Sequence, residues 1–173
     1  MNRHIGRLKR IAMVAYARLQ LRGCDIGFNV GTYGRVEARP LGRISIGDRV
    51  SMMGGLVPSR FIAHPGAELR IGPSCMLNSG STYEAHGSII IGRDCLIASS
   101  VLITDKDGER SGPIVLEDNV WLAHGAVVRP GVRIGKNSAV SAGTVVVGDV
   151  PPDSLVIGNP GRAVPLSLVA SKG

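Results

Sequence analysis

The sequence predicts an all-β domain in which a parallel β-helix of six-residue repeats forms one continuous core. The first observation is an uninterrupted six-residue spacing of aliphatic residues at Leu116, Leu122, Val128, Ile134, Val140 and Val146. The second is that glycine often follows the aliphatic residue directly, as in Ile46-Gly47 and Ile71-Gly72. Neither an α-helix nor a two-sided sheet has a period of six. A solenoid does, because each short strand points one aliphatic side chain inward before the chain turns a corner.

The composition fits a single domain with a narrow aliphatic core and a preference for anionic partners. Aromatic residues are scarce in the 173-residue chain, which has two Phe, three Tyr and one Trp against 24 Gly. The formal net charge of +7 favours anionic ligands such as a phosphate-bearing cofactor. We expect no nucleic-acid binding, since the only large basic cluster is N-terminal and the sequence shows no aromatic-basic platform for stacking bases.

The cysteines favour a reducing compartment and no metal centre. Cys24, Cys75 and Cys95 are odd in number and lack the spacing of metal ligands. Cys75 and Cys95 fit small core positions at tight corners of the coil. No apolar run reaches transmembrane length, and the first residues lack the apolar core and cleavage site of a signal peptide. We therefore expect a cytoplasmic protein.

Residues 1–23 predict an amphipathic helix ahead of the β-helix of residues 24–150. Its apolar residues share one stripe, with arginines on the rest of the surface: Leu8, Ile11, Ala12, Ala15 and Leu19. Two interpretations stay open, a cap on the open end of the solenoid and a peripheral helix that binds an anionic membrane surface. Pro151-Pro152 is expected to end the coil, and residues 151–173 form a C-terminal turn and tail.

Three repeats make one turn of the coil, so the coil has three faces, and the departures from period six fall at one corner between them. Counting in sixes places Pro58, Tyr83 and Ile103 as successive inward residues of the third face. Extra residues then lie between the third face and the first in three segments, 59–69, 84–90 and 104–115. Insertions at one corner line up along a solenoid and often form its binding face. Adjacent coils are about 4.8 Å apart, so these segments are expected to be neighbours.

The last third of the chain contains five informative segments: Leu116 to Leu122, Pro130 to Gly135, Ser141 to Val146, Asp149 to Pro152 and Gly158-Asn159-Pro160-Gly161-Arg162. In these segments the chain closely resembles the hexapeptide-repeat acyltransferases that acetylate sugars, polysaccharides and small antibiotic acceptors. The resemblance implies a left-handed parallel β-helix, a homotrimer, and acetyl-CoA bound in the groove between subunits.

The same resemblance points to a departure in the catalytic loop. In the family, the base that takes a proton from the acceptor is a histidine on an extended loop. Here the corresponding loop places Lys106 or Glu109 at that position, depending on the alignment. His86 lies at the same corner one coil earlier, and we expect it to be the base, with Asp105 or Asp107 as its carboxylate partner.

Alternatives to His86 stay open at this stage. His64 precedes Pro65, and a His-Pro pair is catalytic in some relatives, but it falls two coils too early in this register. The imidazole of His86 could also serve only as a hydrogen-bonding group at a tight corner. A chain without a working base would be a catalytically degenerate trimeric scaffold.

Binding residues are carried over from the family position by position. For the cofactor, the resemblance indicates Trp121, His124, Ala142, Gly143 and Arg162, where small residues admit the pantetheine arm and arginine approaches the phosphates. Asn78 and Glu84 lie near the positions that bind acceptor hydroxyls.

The sequence therefore predicts an acetyl-CoA-dependent transfer of an acetyl group to a hydroxyl of a sugar or saccharide-like acceptor. N-acetylation of an amino sugar is the enzymatic alternative, and the degenerate scaffold is the non-enzymatic one.

Overall fold

The computed structural model describes residues 2–170, with side chains for residues 10–168. Three parallel sheets wind around a continuous aliphatic core, and the chain passes from one sheet to the next at each corner. The predicted fold class is confirmed.

The first sheet has six parallel strands. They are β1 (Asp25–Ile26), β4 (Arg43–Ile46), β7 (Glu68–Ile71), β10 (Ser88–Ile91), β15 (Ile114–Leu116) and β18 (Arg133–Ile134). Their inward residues pair in register along the solenoid: Ile26, Ile46, Ile71, Ile91, Leu116 and Ile134. This column is the one that the six-residue spacing predicts.

The second sheet contains seven parallel strands and one antiparallel strand at its end. They are β2 (Gly31–Tyr33), β5 (Ser51–Met53), β8 (Met76–Leu77), β11 (Leu96–Ile97), β16 (Trp121–Leu122), β19 (Ala139–Val140), β21 (Ser154–Ile157) and β22 (Arg162–Pro165). Strand β21 pairs in parallel with β19, which aligns Val156 with Val140. The parallel coil thus continues beyond the end predicted at residue 150.

The third sheet has six parallel strands. They are β3 (Val36–Pro40), β6 (Ser59–Ala63), β9 (Thr82–Ala85), β12 (Leu102–Thr104), β17 (Val127–Val128) and β20 (Val145–Val146). Outside the three sheets, β13 (Lys106–Asp107) and β14 (Arg110–Ser111) form a short hairpin. The helices are α1 (Asn2–Gln20) and α2 (Leu166–Ala170).

The structure corrects the third-face register in one coil. Phe61, not Pro58, pairs with Tyr83 and Ala38, and its ring stacks on that of Tyr83 with centroids 4.8 Å apart. Both rings are fully buried, whereas Pro58 is partly exposed. The aromatic ring fills the core better than a proline that cannot donate to the strand ladder.

This correction changes one of the three predicted insertions. Residues 59–69 are not an excursion, because 59–63 and 68–69 belong to strands β6 and β7. The extra residues of that coil are divided between the loop before β6 and the turn at 64–67. The segments 84–90 and 104–115 do meet at the third-to-first corner, where β9, β10 and the β13–β14 hairpin lie.

Helix α1 packs on the first coil through a different face from the predicted one. Ala17 and Leu21 are buried, and the Gln20 amide bonds to Thr32 Oγ1 at 3.0 Å while its Oε1 accepts from the Val36 amide at 2.7 Å. The exposed residues include four of the predicted stripe, Ile11, Ala12, Ala15 and Leu19. The Leu8 side chain lies outside the described residues. Among the residues described, neither helix is long and apolar enough to span a membrane.

The cysteines occupy the expected core positions at one corner. The Cys75 thiol donates to the Gly92 carbonyl at 3.1 Å and the Cys95 thiol to the Glu117 carbonyl at 3.2 Å. Both side chains are buried, which confirms their assignment as core fillers. Burial, with a smaller contribution from Asp25, raises the pKa of Cys24 to about 11, so this thiol is weakly nucleophilic at neutral pH.

Candidate functional site

Two histidines stand side by side at the corner between the third and first sheets. Ala63 pairs with Ala85 in register, and the next residues along the two strands are His64 and His86. The His64 amide donates to the Ala85 carbonyl at 2.9 Å, which continues the strand ladder by one residue. The two imidazole rings therefore stack, with centroids 3.9 Å apart and an interplanar angle of 12°.

Glu84 connects the two imidazoles. It precedes His86 by two residues, so both side chains leave the same face of the strand. Glu84 Oε1 lies 2.9 Å from His64 Nε2 and 3.5 Å from His86 Nε2. All three side chains are about one-third exposed, so the cluster is open to solvent on one side. The carboxylate favours the tautomers in which Nε2 carries a proton toward it.

Asp105 holds the backbone of this corner rather than the imidazole of His86. It is 2 % exposed, and its carboxylate accepts from the amides of His86 at 2.7 Å, Gly87 at 2.8 Å and Ser88 at 2.6 Å. A buried carboxylate requires such donors, and three consecutive amides at the turn before and at the start of β10 supply them. The predicted partnership between Asp105 and the His86 ring is therefore corrected, since the neighbouring carboxylate is that of Glu84.

The hairpin that follows Asp105 contains the other predicted loop residues. Asp107 forms an ion pair with Arg129 of the next coil. Among the described residues, the ion-pair contacts of the His86 ring are with Glu84 and none is with Asp107, so the predicted pairing of Asp107 with this ring is not formed. Lys106 and Glu109, which occupy the positions aligned with the family's histidine, are both exposed.

A cavity of about 530 Å³ lies between the corner and the hairpin. Its walls include His86, Ser88, Asp105, Lys106 and Ser111. The volume is in the range of small-molecule sites, and the polar side chains among the lining residues could bond to the hydroxyls of an acceptor. His86 is the one histidine of the cluster that reaches this lining.

The predicted cofactor residues gather at a different corner, between the second and third sheets. His124 Nδ1 lies 2.9 Å from Ser99 Oγ, and the Gly143 amide donates to the His124 carbonyl at 2.9 Å. Ala142 precedes Gly143 in the same turn, where Gly143 has a φ of +66° that favours glycine. Trp121 points outward from the second sheet and is 51 % exposed.

Asn78 and Arg162 complete the predicted set. Asn78 lies at the second-to-third corner, and its Nδ2 donates to the Ile97 carbonyl at 3.1 Å, so part of its amide is already bonded. Arg162 begins the last strand of the second sheet, opposite Ile157, and is exposed.

The structure thus divides the predicted residues between two corners of one chain. His86, Glu84, Asp105 and Asp107 lie on one side of the third sheet, and the cofactor set and Asn78 lie on the other. One chain does not bring the two groups into contact at a single site.

His64 belongs to the candidate site, although counting in sixes along the sequence does not place it in register with His86. His64 lies two coils before the catalytic loop in either register, but with Pro58 as the inward residue it follows by six residues and falls in the predicted 59–69 excursion. With Phe61 inward, His64 follows by three residues, as His86 follows Tyr83. The shared Ala-His step in Ala63-His64 and Ala85-His86 is the signal that could have shown this.

Comparison with known proteins supports the resemblance derived from the sequence. Residues 113–148 match the bacterial transferase hexapeptide family model, which describes six repeats. Galactoside O-acetyltransferase of Escherichia coli K12 is 34% identical over 110 residues, which is 57% of this chain and 54% of that protein. Serine acetyltransferase of Synechococcus elongatus is 37% identical over 103 residues, 58% of this chain and 41% of that protein. The chain spans about half the length of the curated relatives it matches.

Solved structures show the same solenoid. A hexapeptide-repeat acetyltransferase from Vibrio cholerae, solved with acetyl coenzyme A, matches with a TM-score of 0.53 at 26% identity over 89% of this chain and 75% of that one. An N-acyltransferase from Bacillus cereus matches in fold with a TM-score of 0.59 at 18% identity, covering 96% and 92% of the two chains. The predicted resemblance to the hexapeptide-repeat acyltransferases is confirmed.

Proposed function

We propose that the chain is an acetyltransferase that moves an acetyl group from acetyl-CoA to a hydroxyl of a sugar-like acceptor. The observation that carries the proposal is the cavity of about 530 Å³ beside His86, whose imidazole adjoins the Glu84 carboxylate. The similarity to galactoside O-acetyltransferase and to a structure solved with acetyl coenzyme A supports the reaction class.

The chemistry assigned to His86 is general-base catalysis. The acceptor hydroxyl attacks the thioester carbonyl, and its proton must move to a base as the new carbon–oxygen bond forms. The Glu84 carboxylate, 3.5 Å from Nε2 of His86, favours a proton on that nitrogen, which leaves Nδ1 as the basic nitrogen, and its charge stabilises the imidazolium once it is formed. When the tetrahedral intermediate collapses, that proton is available to the departing thiolate of CoA.

Glu84 and Asp105 act as positioning residues in this scheme. Glu84 fixes the ring of His86 through Nε2, and Asp105 fixes its backbone through three amide bonds. The two carboxylates therefore hold the same residue from opposite ends. Neither needs to change its protonation during the reaction.

We also propose that the working unit is a homotrimer. The base and the cofactor residues lie at different corners of one chain, so a neighbouring subunit is needed to supply the second half of each site. The outer face of the second sheet offers a contact surface, because Met76, Leu96 and Trp121 are exposed and pair in register. Exposed apolar columns of this kind are typical of protein interfaces. The acetyl-CoA groove would then contain Trp121, His124, Ala142, Gly143 and Arg162.

Helix α1 is proposed to hold the protein against an anionic membrane surface. Ile11, Ala12, Ala15, Tyr16 and Leu19 are exposed on it. The sequence of α1 contains five Lys or Arg and no Asp or Glu. An exposed apolar face beside basic residues is the pattern of interfacial helices. On this proposal the protein acts at the cytoplasmic face of a membrane.

The experiment that tests the reaction measures CoA thiol release with a panel of sugar acceptors. We expect His86→Gln to lower turnover on a hydroxyl acceptor by about 10²- to 10⁴-fold. Glu37→Gln serves as the control and should leave turnover unchanged, since Glu37 lies on strand β3 of the first coil and does not line the cavity. Full turnover by the His86 variant would remove His86 from the mechanism.

The same assay separates the alternatives. Turnover confined to amino sugars, which survives in His86→Gln and declines below the amine pKa, would identify an N-acetyltransferase. Absence of transfer to every acceptor would favour the degenerate scaffold.

A further inference from the structure

The cluster of His64, Glu84 and His86 has a donor arrangement that general-base catalysis does not require. A base needs one imidazole and one orienting carboxylate. Here a second imidazole, from the preceding coil, contacts the same carboxylate oxygen at 2.9 Å. His64 is absent from the cavity lining, so contact with an acceptor does not explain it.

We propose that these three residues form a binding site for a divalent transition-metal ion, with Zn²⁺ as the best-suited ion. Each residue offers one ligand atom, and the three atoms lie within 4.8 Å of one another. Ligand atoms around a tetrahedral zinc ion with bonds of about 2.0–2.1 Å are about 3.3 Å apart. The two separations to Glu84 Oε1, 2.9 and 3.5 Å, bracket that value.

The donor types select the class of ion. Two imidazole nitrogens and one carboxylate oxygen suit Zn²⁺ and its neighbours in the first transition series, whereas Mg²⁺ and Ca²⁺ prefer all-oxygen sites. The three side chains are about one-third exposed, so water can reach the ion and fill the remaining position. Neutral imidazole is the binding form, and affinity therefore falls as the pH is lowered.

The scaffold holds these donors in place before an ion arrives. His64 and His86 are fixed to adjacent strands by the 2.9 Å bond between the His64 amide and the Ala85 carbonyl. The His86 backbone is further held by the carboxylate of Asp105. Binding then requires only rotation of the stacked rings about χ2, a soft torsion, so that both nitrogens face the ion.

The cysteine spacing predicts no metal centre, and the ligands proposed here are histidines and a glutamate instead. The histidine pair is invisible to spacing rules, since its members are 22 residues apart in sequence and meet only through strand register. The ion is not a catalytic group in this proposal. The expected effect on activity rests on the proposed function. An ion bound to His86 would prevent this imidazole from acting as the base, so Zn²⁺ would inhibit acetyl transfer and a chelator would restore the activity.

The test is calorimetric titration of ZnCl2 into the chelator-treated 173-residue chain, without acetyl-CoA or acceptor. We expect one ion per chain in the wild type. His64→Gln and Glu84→Gln should each weaken binding by at least about tenfold. His124→Gln is the matched control, because His124 bonds to Ser99 at a different corner, and its affinity for Zn²⁺ should equal that of the wild type.

Either of two results would overturn the metal site. One is no binding by the wild type, and the other is equal binding by the wild type and the His64 and Glu84 variants. Cobalt provides a second readout, because Co²⁺ bound by imidazole and carboxylate gives visible absorption that the same variants should abolish. Both measurements are independent of turnover, so failure of the acetyltransferase proposal would leave this result interpretable.

Discussion

Asp105 shows how a single buried carboxylate can shape a site without taking part in its chemistry. Its two oxygens accept from three consecutive backbone amides, and the side chain is almost fully buried. These bonds are charge-assisted and replace the water that the turn and the carboxylate both lose on folding. The position of His86 therefore depends on Asp105 although their side chains are not paired.

Replacing Asp105 by Asn should destabilise the fold more than it alters the chemistry. Oδ1 accepts from one amide and Oδ2 from two, and the amide group replaces one of these accepting oxygens by an N–H₂, so at least one buried donor loses its partner, at about 1–3 kcal/mol. Chemical unfolding monitored by circular dichroism measures this loss. Asp107→Asn is the control, because its partner Arg129 is partly exposed, and such pairs contribute about 0–1 kcal/mol. Equal unfolding free energies for the two variants would contradict the assigned role of Asp105.

Among the elements, helix α1 departs most from its predicted packing. Periodicity locates an apolar stripe but does not show which partner covers it. Gln20 fixes the rotation of the helix about its axis, because its side-chain amide bonds to Thr32 and Val36 in the first coil. Ala17 and Leu21 therefore face inward and are buried. Ile11 and Leu19 are left 60% exposed.

The exposed face of α1 predicts binding to anionic vesicles. The wild type should sediment with phosphatidylglycerol-containing vesicles and less with neutral ones, and added salt should weaken the binding. Ile11→Ser combined with Leu19→Ser should reduce the partition coefficient by about tenfold or more, since each side chain contributes about 1.5–3 kcal/mol when buried. Leu56→Ser, at an exposed leucine elsewhere, is the control. Equal binding by the double variant and the wild type would exclude α1 as the contact.

The strands show which parts of the fold can be derived from sequence. Ile71, Ile91 and Leu116 share a column because an inward aliphatic at fixed spacing is the strongest signal that a narrow solenoid produces. The second coil breaks that spacing, and counting in sixes from Met52 gives Pro58 where the chain uses Phe61. Insertion length at a corner depends on three-dimensional fit, which periodicity does not encode.

The candidate site follows the same rule. The coil of His86 keeps a readable register, which predicts its place at the corner, whereas the register of the coil that contains His64 is broken, so the stacking of His64 on His86 is visible only in the structure. The predicted partner of Asp105 is wrong, because a carboxylate that binds backbone amides has the same sequence appearance as one that binds an imidazole. The side chains were therefore predictable as a set, but their pairing was not.

For the whole molecule, the separation of the two residue groups makes assembly the main expectation. The exposed column of Met76, Leu96 and Trp121 is the proposed contact between subunits. Leu96→Glu and Trp121→Glu would bury unpaired charges at this contact and should convert the trimer to monomers, as measured by light scattering with size-exclusion chromatography. Val147→Glu, at an exposed valine outside the column, should leave the mass unchanged. A monomeric wild type would contradict the assembly.

The central claim is that the molecule carries a working acetyl-CoA site, and the most direct test is its thermal unfolding with and without acetyl-CoA. A ligand at one hundred times its dissociation constant stabilises the native state by about 2.7 kcal/mol, which raises the unfolding midpoint measurably. We predict a rise with acetyl-CoA that exceeds the rise with a phosphate-bearing nucleotide lacking pantetheine. No rise at millimolar acetyl-CoA, or an equal rise with the control nucleotide, would contradict the proposed function.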